Sequence, residues 1–166
     1  MLGKINVLKI IGDHLKTLRS LRTGKVLWSE IALFFIFPLA ISIYSVYFQC
    51  FSFDSGQVNI LIASLSILAG FLFNLLAMIF GAMDKLKENA SGDDIKLALV
   101  REIHINVSFS ILLSVICIIL LLFYDCQIAL LKPFFNMMAF FVIISFFLTL
   151  LMVLKRIYII MSKDLN

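Results

Sequence analysis

The sequence predicts an all-α polytopic membrane protein with four transmembrane helices, preceded by an amphipathic helix at the membrane interface, and it favours a homo-oligomer. Two observations lead to this fold class: the composition, and the gathering of apolar residues into four long stretches. Of 166 residues, 63% are apolar and 14% are charged, and the mean hydropathy is +1.11. Soluble domains are about 45–50% apolar and about 25% charged. A soluble chain of this size would lack the polar surface to cover its hydrocarbon, so the excess is expected to face lipid.

The four predicted spans contain no Lys, Arg, Asp or Glu. A transmembrane helix needs roughly 20 predominantly apolar residues to cross the hydrocarbon core. The spans do not alternate between apolar and polar residues as the strands of a membrane β-barrel do, so we expect helices. They lie at residues 31–48, 58–83, 105–124 and 134–154, within a membrane domain covering residues 28–154.

The basic residues are divided unequally between the two sides of the membrane. Thirteen of the 14 Lys and Arg lie before the first span, between the second and third spans, or after the fourth, and Lys132 is the remaining one. Basic residues that flank spans are concentrated on the cytoplasmic side. We therefore expect a multi-pass protein of the cell inner (cytoplasmic) membrane with both termini in the cytoplasm.

Three segments are predicted to lie in the cytoplasm: a basic helix within residues 1–27, a helical hairpin at residues 84–104 and a tail at residues 155–166. In the first, Leu8, Ile11, Leu15 and Leu18 recur along one face, which is typical of an amphipathic helix. This helix either lies on lipid headgroups or docks a protein partner. The basic residues predicted to contact headgroups or a partner are Lys9, Lys16, Arg19, Arg22, Lys85, Lys87, Arg101, Lys155 and Arg156.

The hairpin is predicted to extend the second and third spans beyond the bilayer. Residues 89–92 read Asn-Ala-Ser-Gly and form the expected turn. Ser91, followed three residues later by Asp94, resembles a capping box at the start of the next helix. The mixed charges of this hairpin indicate either a solvated surface or a partner-binding surface.

Small and polar residues recur every three to four positions in the second and third spans, which places each set on one helix face. Such faces allow close helix packing, within one protomer or between copies, and they could also line a polar pore. No Asp, Glu, Lys, Arg or His lies at mid-membrane depth, so ion-coupled transport is not expected. The residues assigned to this packing or oligomer interface are Ser66, Gly70, Asn74, Ala77 and Gly81 in the second span, and Asn106, Ser110 and Ser114 in the third.

The sequence contains no recognisable catalytic or metal-binding motif. Cys50 and Cys126 fall in the two predicted outer connections, where a disulfide between them is a hypothesis, whereas Cys117 is expected to pack inside the third span. His14 and His104 are interpreted as isolated cytoplasmic residues that do not form a metal site. We expect no enzyme activity, no cofactor and no metal. The net charge of +4 is explained by topology, so no direct nucleic-acid binding is expected.

Two further segments flank the third and fourth spans: Arg-Glu-Ile-His-Ile-Asn-Val-Ser at 101–108 and Leu-Leu-Met-Val-Leu-Lys-Arg-Ile-Tyr at 150–158. With these segments the chain resembles small four-helix membrane subunits of bacterial anti-phage defence systems, in particular the membrane subunit of the Kiwa system. The resemblance implies a homo-oligomeric membrane sensor or anchor whose cytoplasmic partner carries out the nucleic-acid chemistry. It implies no catalytic residues. The chain is also similar in size and span number to immunity proteins against pore-forming colicins.

Three functions follow as hypotheses. The first is a non-enzymatic membrane sensor or anchor of an antiviral defence complex that binds lipid, oligomerises and recruits a cytoplasmic protein. The second is a pore-forming effector, holin-like or channel-like, lined by the polar residues of the second or third span. The third is a bacteriocin immunity protein that blocks a toxin helix within the bilayer.

Overall fold

The computed structural model describes residues 7–18, 28–48, 51–88, 94–124 and 132–164. Within these ranges the secondary structure is helical, with no strand. Helix α1 covers Val7–Thr17, α2 covers residues 28–48, α3 covers Ser55–Glu88, α4 covers Asp94–Leu122 and α5 covers Lys132–Asp164. Helices α2 to α5 each contain an apolar stretch long enough to cross a membrane, of 20, 31, 27 and 31 residues. The predicted all-α fold with four spans is confirmed, and the chain is a multi-pass membrane protein.

Helix α2 combines α-helical and π-helical segments, and Pro38 accounts for the first change. The segments are Trp28–Ile31 (α), Ala32–Ile36 (π), Phe37–Ile43 (α) and Tyr44–Phe48 (π). Proline lacks an amide hydrogen and its ring crowds the carbonyl four residues earlier, so the preceding turn widens. The Ser42 hydroxyl donates to the Pro38 carbonyl oxygen at 2.6 Å. Because Pro38 and Ser42 are both buried, this bond gives the Pro38 carbonyl oxygen a hydrogen-bond partner away from water.

Helix α3 packs through a seven-residue repeat. Val58, Leu65, Leu72 and Ile79 are all buried, although most of the helix around them is exposed. Such a repeat keeps a single edge of a long helix facing its neighbour. That neighbour is α4, whose buried Ile103, Val107 and Ile111 belong to the same apolar core.

The helices pack in the order α3, α4, α5, α2. The extensive contacts join α3 to α4, α4 to α5, and α5 to α2, while α1 packs on α4. In the most apolar stretch of each span, the share of residues that is buried differs between the outer and the inner helices. It is 17% in α3 and 22% in α2, against 44% in α4 and 33% in α5. Helices α4 and α5 therefore form the interior of the protomer.

The connection between the first and second spans is short, which by itself predicts that α2 and α3 are antiparallel neighbours. In the structure the main partner of α2 is α5 instead. Residues 49–54 join α2 to α3, and six extended residues reach about 20 Å. Packed helix axes lie about 8–10 Å apart, so this connection is long enough to pass a neighbouring helix.

An aromatic cluster closes the end of the bundle remote from α1. Phe53 stacks on Phe140 with ring centroids 4.7 Å apart, and the Tyr124 hydroxyl donates to the Phe53 carbonyl oxygen at 3.2 Å. The Asn136 amide nitrogen donates to the Phe51 carbonyl oxygen at 3.3 Å. These contacts fix residues 51–54 against α4 and α5.

The helices continue beyond the predicted spans at the end of the bundle that carries α1. Helix α3 runs to Glu88, α4 starts at Asp94, and α5 continues to Asp164 through most of the segment predicted as a tail. The position of α4 agrees with the expected helix start after Ser91. Several predictions fall outside the described residues: those on Cys50, Cys126, the turn at residues 89–92, Arg19, Arg22 and the side chain of Lys87.

Candidate functional site: a buried polar cluster and an exposed stripe

The polar face of α4 lies inside the protomer. Asn106, Ser110, Ser114 and Cys117 are all 0% exposed. The Ser110 hydroxyl donates to the Asn106 carbonyl oxygen at 3.0 Å, and the Ser114 hydroxyl donates to the Ile111 carbonyl oxygen at 2.7 Å. Because the two hydroxyls bond to the backbone of their own helix, they pack in the core without needing water. Cys117 is a free, buried thiol, as expected of a packing residue.

The Asn106 side chain anchors α1 to α4. Its Oδ1 accepts a hydrogen bond from His14 Nδ1 at 2.8 Å and lies 2.9 Å from the Thr17 hydroxyl. The same hydroxyl lies 2.7 Å from the His14 carbonyl oxygen, so its single hydrogen is shared between two acceptors. The Asn106 Nδ2 atom is buried without a partner among the described residues. The hydrogen bonds of the Asn106 side-chain oxygen are therefore made to α1.

His14 is packed as an aromatic ring. It stacks on Phe109 of α4, with centroids 3.8 Å apart and planes at 12°, and it meets the edge of Phe34 of α2 at 6.4 Å. Burial lowers the pKa of His14 from its usual 6.5 to about 4, so the ring is neutral near pH 7. The interpretation of His14 as an isolated residue is wrong, because α1 folds back and buries the ring against two spans.

Arg156 of α5 closes the C-terminal end of α1. Its Nη2 donates to the Thr17 carbonyl oxygen at 2.9 Å and forms an ion pair with Glu102 Oε2 at 3.1 Å. Both side chains are 13% exposed. The last carbonyls of a helix lack partners within the helix and carry partial negative charge, so a guanidinium there stabilises the helix end. Sequence reasoning predicted a headgroup or partner contact for Arg156, and the structure instead directs it towards Glu102 and Thr17.

These residues define the buried polar cluster, which joins α1, α4 and α5 at one end of the bundle: His14, Thr17, Glu102, Asn106 and Arg156. Sequence reasoning missed this cluster because it assigned the packing face of α1 to Leu8, Ile11, Leu15 and Leu18. Leu18 is buried, but Leu8 is 79% and Leu15 is 43% exposed. The signal that could have revealed it is the placement of His14, Thr17 and Leu18 on one helix face.

The remaining described basic residues of the predicted contact set are on the surface. Lys9, Lys16, Lys85, Arg101 and Lys155 are exposed. Lys16 Nζ lies 2.7 Å from Asp13 Oδ1, and this hydrogen bond holds the pKa of Asp13 below its usual value. A contact with headgroups or a partner remains a prediction for these residues.

The small and polar residues of α3 face outward. We call Ser66, Gly70, Asn74, Ala77 and Gly81 the α3 stripe, and every one of them is exposed in the protomer. The Ser66 hydroxyl donates to the Ile62 carbonyl oxygen at 2.8 Å. A Cβ atom added at Gly70 or Gly81 would meet nothing within 4 Å. Packing inside the protomer therefore does not require either glycine.

The described residues do not contain a group of three or more His, Cys, Asp or Glu side chains that could hold a metal ion. The cluster instead combines a neutral imidazole, an amide, a hydroxyl and one ion pair, and its bonds hold helices together. The arrangement thus fixes α1 against the spans.

Comparison with known protein families, with curated proteins and with solved structures finds no match for this chain. The fold and the cluster define the class of the protein: a four-span helical membrane protein with a helix seated on the ends of its spans.

Proposed function

We propose that this protein is a non-enzymatic inner-membrane sensor or anchor subunit that self-associates through the α3 stripe and recruits a cytoplasmic protein. The observation that carries the proposal is the exposure of the α3 stripe along the most exposed of the four spans. In this proposal both termini lie in the cytoplasm, so that α1 and the ends of α3, α4 and α5 face the partner.

Asn74 is the polar centre of the proposed interface. An amide facing hydrocarbon lacks hydrogen-bond partners, and Asn side chains in membrane helices bond across helix–helix interfaces, at about 0.6–2 kcal/mol each. Asn74 is exposed in the protomer. A second copy packed on α3 would supply the missing partner.

Gly70 and Gly81 support close approach at the same interface. Glycine in a helix is less favourable than alanine by roughly 1 kcal/mol, so its presence usually has a packing reason. The open space beside both residues excludes a reason within the described part of the protomer. Small residues spaced three or four apart let the backbones of two membrane helices come together.

The recruiting surface is assigned to α1. Its inner side is fixed by the buried polar cluster, while Leu8 is 79% exposed on the other side beside the exposed Lys9. An apolar residue bordered by basic ones suits an acidic amphipathic partner. Since α1 is bonded to α4 and α5, binding of a partner at this surface would also act on these two spans.

We assign the complex to antiviral defence on the strength of the resemblance in residues 101–108 and 150–158. In the structure these segments supply Glu102, Asn106 and Arg156, three members of the buried polar cluster. The nucleic-acid chemistry in this proposal belongs to the partner, and loss of the membrane subunit would abolish protection against phage.

The self-association step is tested by measuring the mass of the purified protein in mild detergent. We expect Gly70→Leu to dissociate the oligomer, because a branched side chain would hold the helices apart. Phe71→Leu is the matched control: Phe71 is also exposed, but lies about 100° around the helix from Gly70. Monomeric wild-type protein, or equal dissociation by both variants, would contradict the proposal.

The recruitment step needs a second measurement. Affinity purification of the oligomer from cells should recover one cytoplasmic protein reproducibly, and Leu8→Glu should release it while the oligomer persists. Recovery of the oligomer alone in repeated purifications would count against an anchor function.

A pore is the second candidate, because Ser66 and Asn74 are exposed and could face a lumen between copies. The alternative lining, Asn106, Ser110 and Ser114, is buried within the protomer. A pore predicts that overexpression depolarises cells and that Ser66→Leu prevents this. An anchor predicts that overexpression of the wild type does not depolarise cells and that overexpression of Ser66→Leu does not either.

A further inference from the structure

A cavity of about 480 Å³ lies beside α1, between the ends of α3 and α4. This volume is within the usual range for small-molecule sites, about 300–1,000 Å³. Its polar lining comprises Lys9 and Asp13 of α1 with Arg101, His104 and Ser108 of α4. Its apolar lining comprises Ile10, Met83, Leu97 and Ile105. No member of the buried polar cluster lines this cavity, although some of the lining residues are adjacent to cluster members in the sequence.

The charge of the cavity is positive. Lys9 and Arg101 bring two cations, and the one carboxylate is Asp13, which is already paired with Lys16 at 2.7 Å. A neighbouring cavity of about 470 Å³ shares Asp13 and Arg101 but adds Lys16 and Glu102, so its acids and bases are balanced. An anion therefore favours the first cavity over the second.

The cavity also lies at the expected border of the membrane. Met83 is the last residue of the predicted second span and Ile105 is the first residue of the third. Both line the cavity together with the basic residues Lys9 and Arg101. A ligand that fills it would place a negative charge beside Lys9 and Arg101 and an apolar part against Met83 and Ile105.

We propose that this cavity binds the phosphate of an anionic phospholipid, with Arg101 as the main contact and Lys9 as the second. A guanidinium offers a planar pair of donors that matches phosphate oxygens, whereas an ammonium acts as a point charge. Ser108 is not a donor to the ligand, since its hydroxyl donates to the His104 carbonyl oxygen at 2.9 Å. His104 forms part of the wall, and its buried Nδ1 has no partner among the described residues.

A bound lipid would bridge α1 and the spans. Lys9 and Asp13 belong to α1, whereas Arg101 and Ile105 belong to α4. Occupation of the cavity would therefore stabilise the same docked position of α1 that the buried polar cluster holds. None of the α3 stripe lines the cavity, so this inference and the proposed self-association fail independently.

The test is native mass spectrometry of the full chain released from micelles that contain equal amounts of phosphatidylglycerol and phosphatidylcholine. We expect one phosphatidylglycerol retained per protomer, in about tenfold preference to phosphatidylcholine. Arg101→Gln should reduce this retention at least fivefold and Arg101→Lys by less, because the lysine keeps the charge but not the planar donor pair. Lys9→Gln, a change at an exposed side chain, should also reduce it.

The matched control is Lys132→Gln, which removes an exposed cation that is outside the predicted headgroup-contact set and does not line the cavity. We expect this variant to retain lipid as the wild type does. Equal retention of the two lipids, or equal loss with Lys132→Gln and Arg101→Gln, would overturn the proposal. Displacement of the lipid by millimolar inorganic phosphate would overturn the lipid assignment in favour of a soluble anion.

Discussion

Helices α3 and α4 carry the same kind of sequence pattern and use it in opposite ways. Each has a set of small or polar residues every three to four positions, and an asparagine belongs to each set: Asn74 in α3 and Asn106 in α4. Asn106 is 0% exposed and anchors α1, whereas Asn74 is exposed on the outer face of the bundle. The spacing of such residues identifies a shared helix face, but not which helix covers it.

The difference has an energetic consequence. Changes on the polar face of α4 should act on the stability of the protomer and on the docking of α1. Changes on the α3 stripe should leave the protomer intact and act on association between copies. Four predictions test this division, from the largest expected effect to the smallest.

Arg156→Met should destabilise the protomer most, by about 4 kcal/mol, the middle of the range for removing one member of a buried ion pair. It leaves Glu102 unpaired and the Thr17 carbonyl without its donor. Denaturant unfolding in micelles measures the loss. Adding Glu102→Gln should recover part of it, and a double variant no more stable than Arg156→Met would contradict a direct pairing.

Acidification should release α1. The pKa of His14 is lowered to about 4 by burial, so the undocked ring binds a proton more readily than the docked ring. Docking therefore keeps its full stability above about pH 6.5 and loses it as the pH falls towards 4, by about 3 kcal/mol in all. Unfolding midpoints between pH 7 and pH 4 measure this loss. His14→Gln should flatten the dependence, and an unchanged slope in that variant would contradict the assignment.

Asn106→Leu should destabilise the protomer by about 2 kcal/mol, because it removes the acceptor of His14 and leaves a buried donor unpaired. Protease cleavage after the exposed Lys9 and Lys16 should become faster as α1 leaves the spans. Ser66→Ala, a polar deletion on the exposed face, is the control and should leave the cleavage rate unchanged. Equal acceleration by both variants would remove the distinction between the two helices.

Asn74→Leu is the same chemical change in α3, and it should leave the unfolding midpoint of the protomer almost unchanged. Its expected effect is a loss of about 1 kcal/mol of association free energy, near fivefold in the dissociation constant. Measurements of the oligomer over a range of protein-to-detergent ratios provide the constant. If Asn74→Leu instead lowered protomer stability as much as Asn106→Leu, the assignment of the α3 stripe to an interface between copies would be wrong.

The sequence alone determined the helices. Long apolar stretches must satisfy their backbone hydrogen bonds internally in lipid, so composition and length are sufficient to predict four spanning helices. The apolar and polar faces also follow from local spacing, as Ser110 and Ser114 show for α4 and Ser66 and Gly70 show for α3. The packing role of Cys117 required no more than its position within a span.

Only the tertiary structure decided which faces meet. The bonds that seat α1 join residues far apart in sequence: His14 and Asn106 are 92 positions apart, and Thr17 and Arg156 are 139 apart. Helical periodicity describes neighbours within a few residues, and the short connection after α2 predicted α3 as its partner where the structure has α5. The order α3, α4, α5, α2 therefore sets which polar residues are buried, because burial depends on the complementary fit of whole helix faces rather than on the pattern of any one helix.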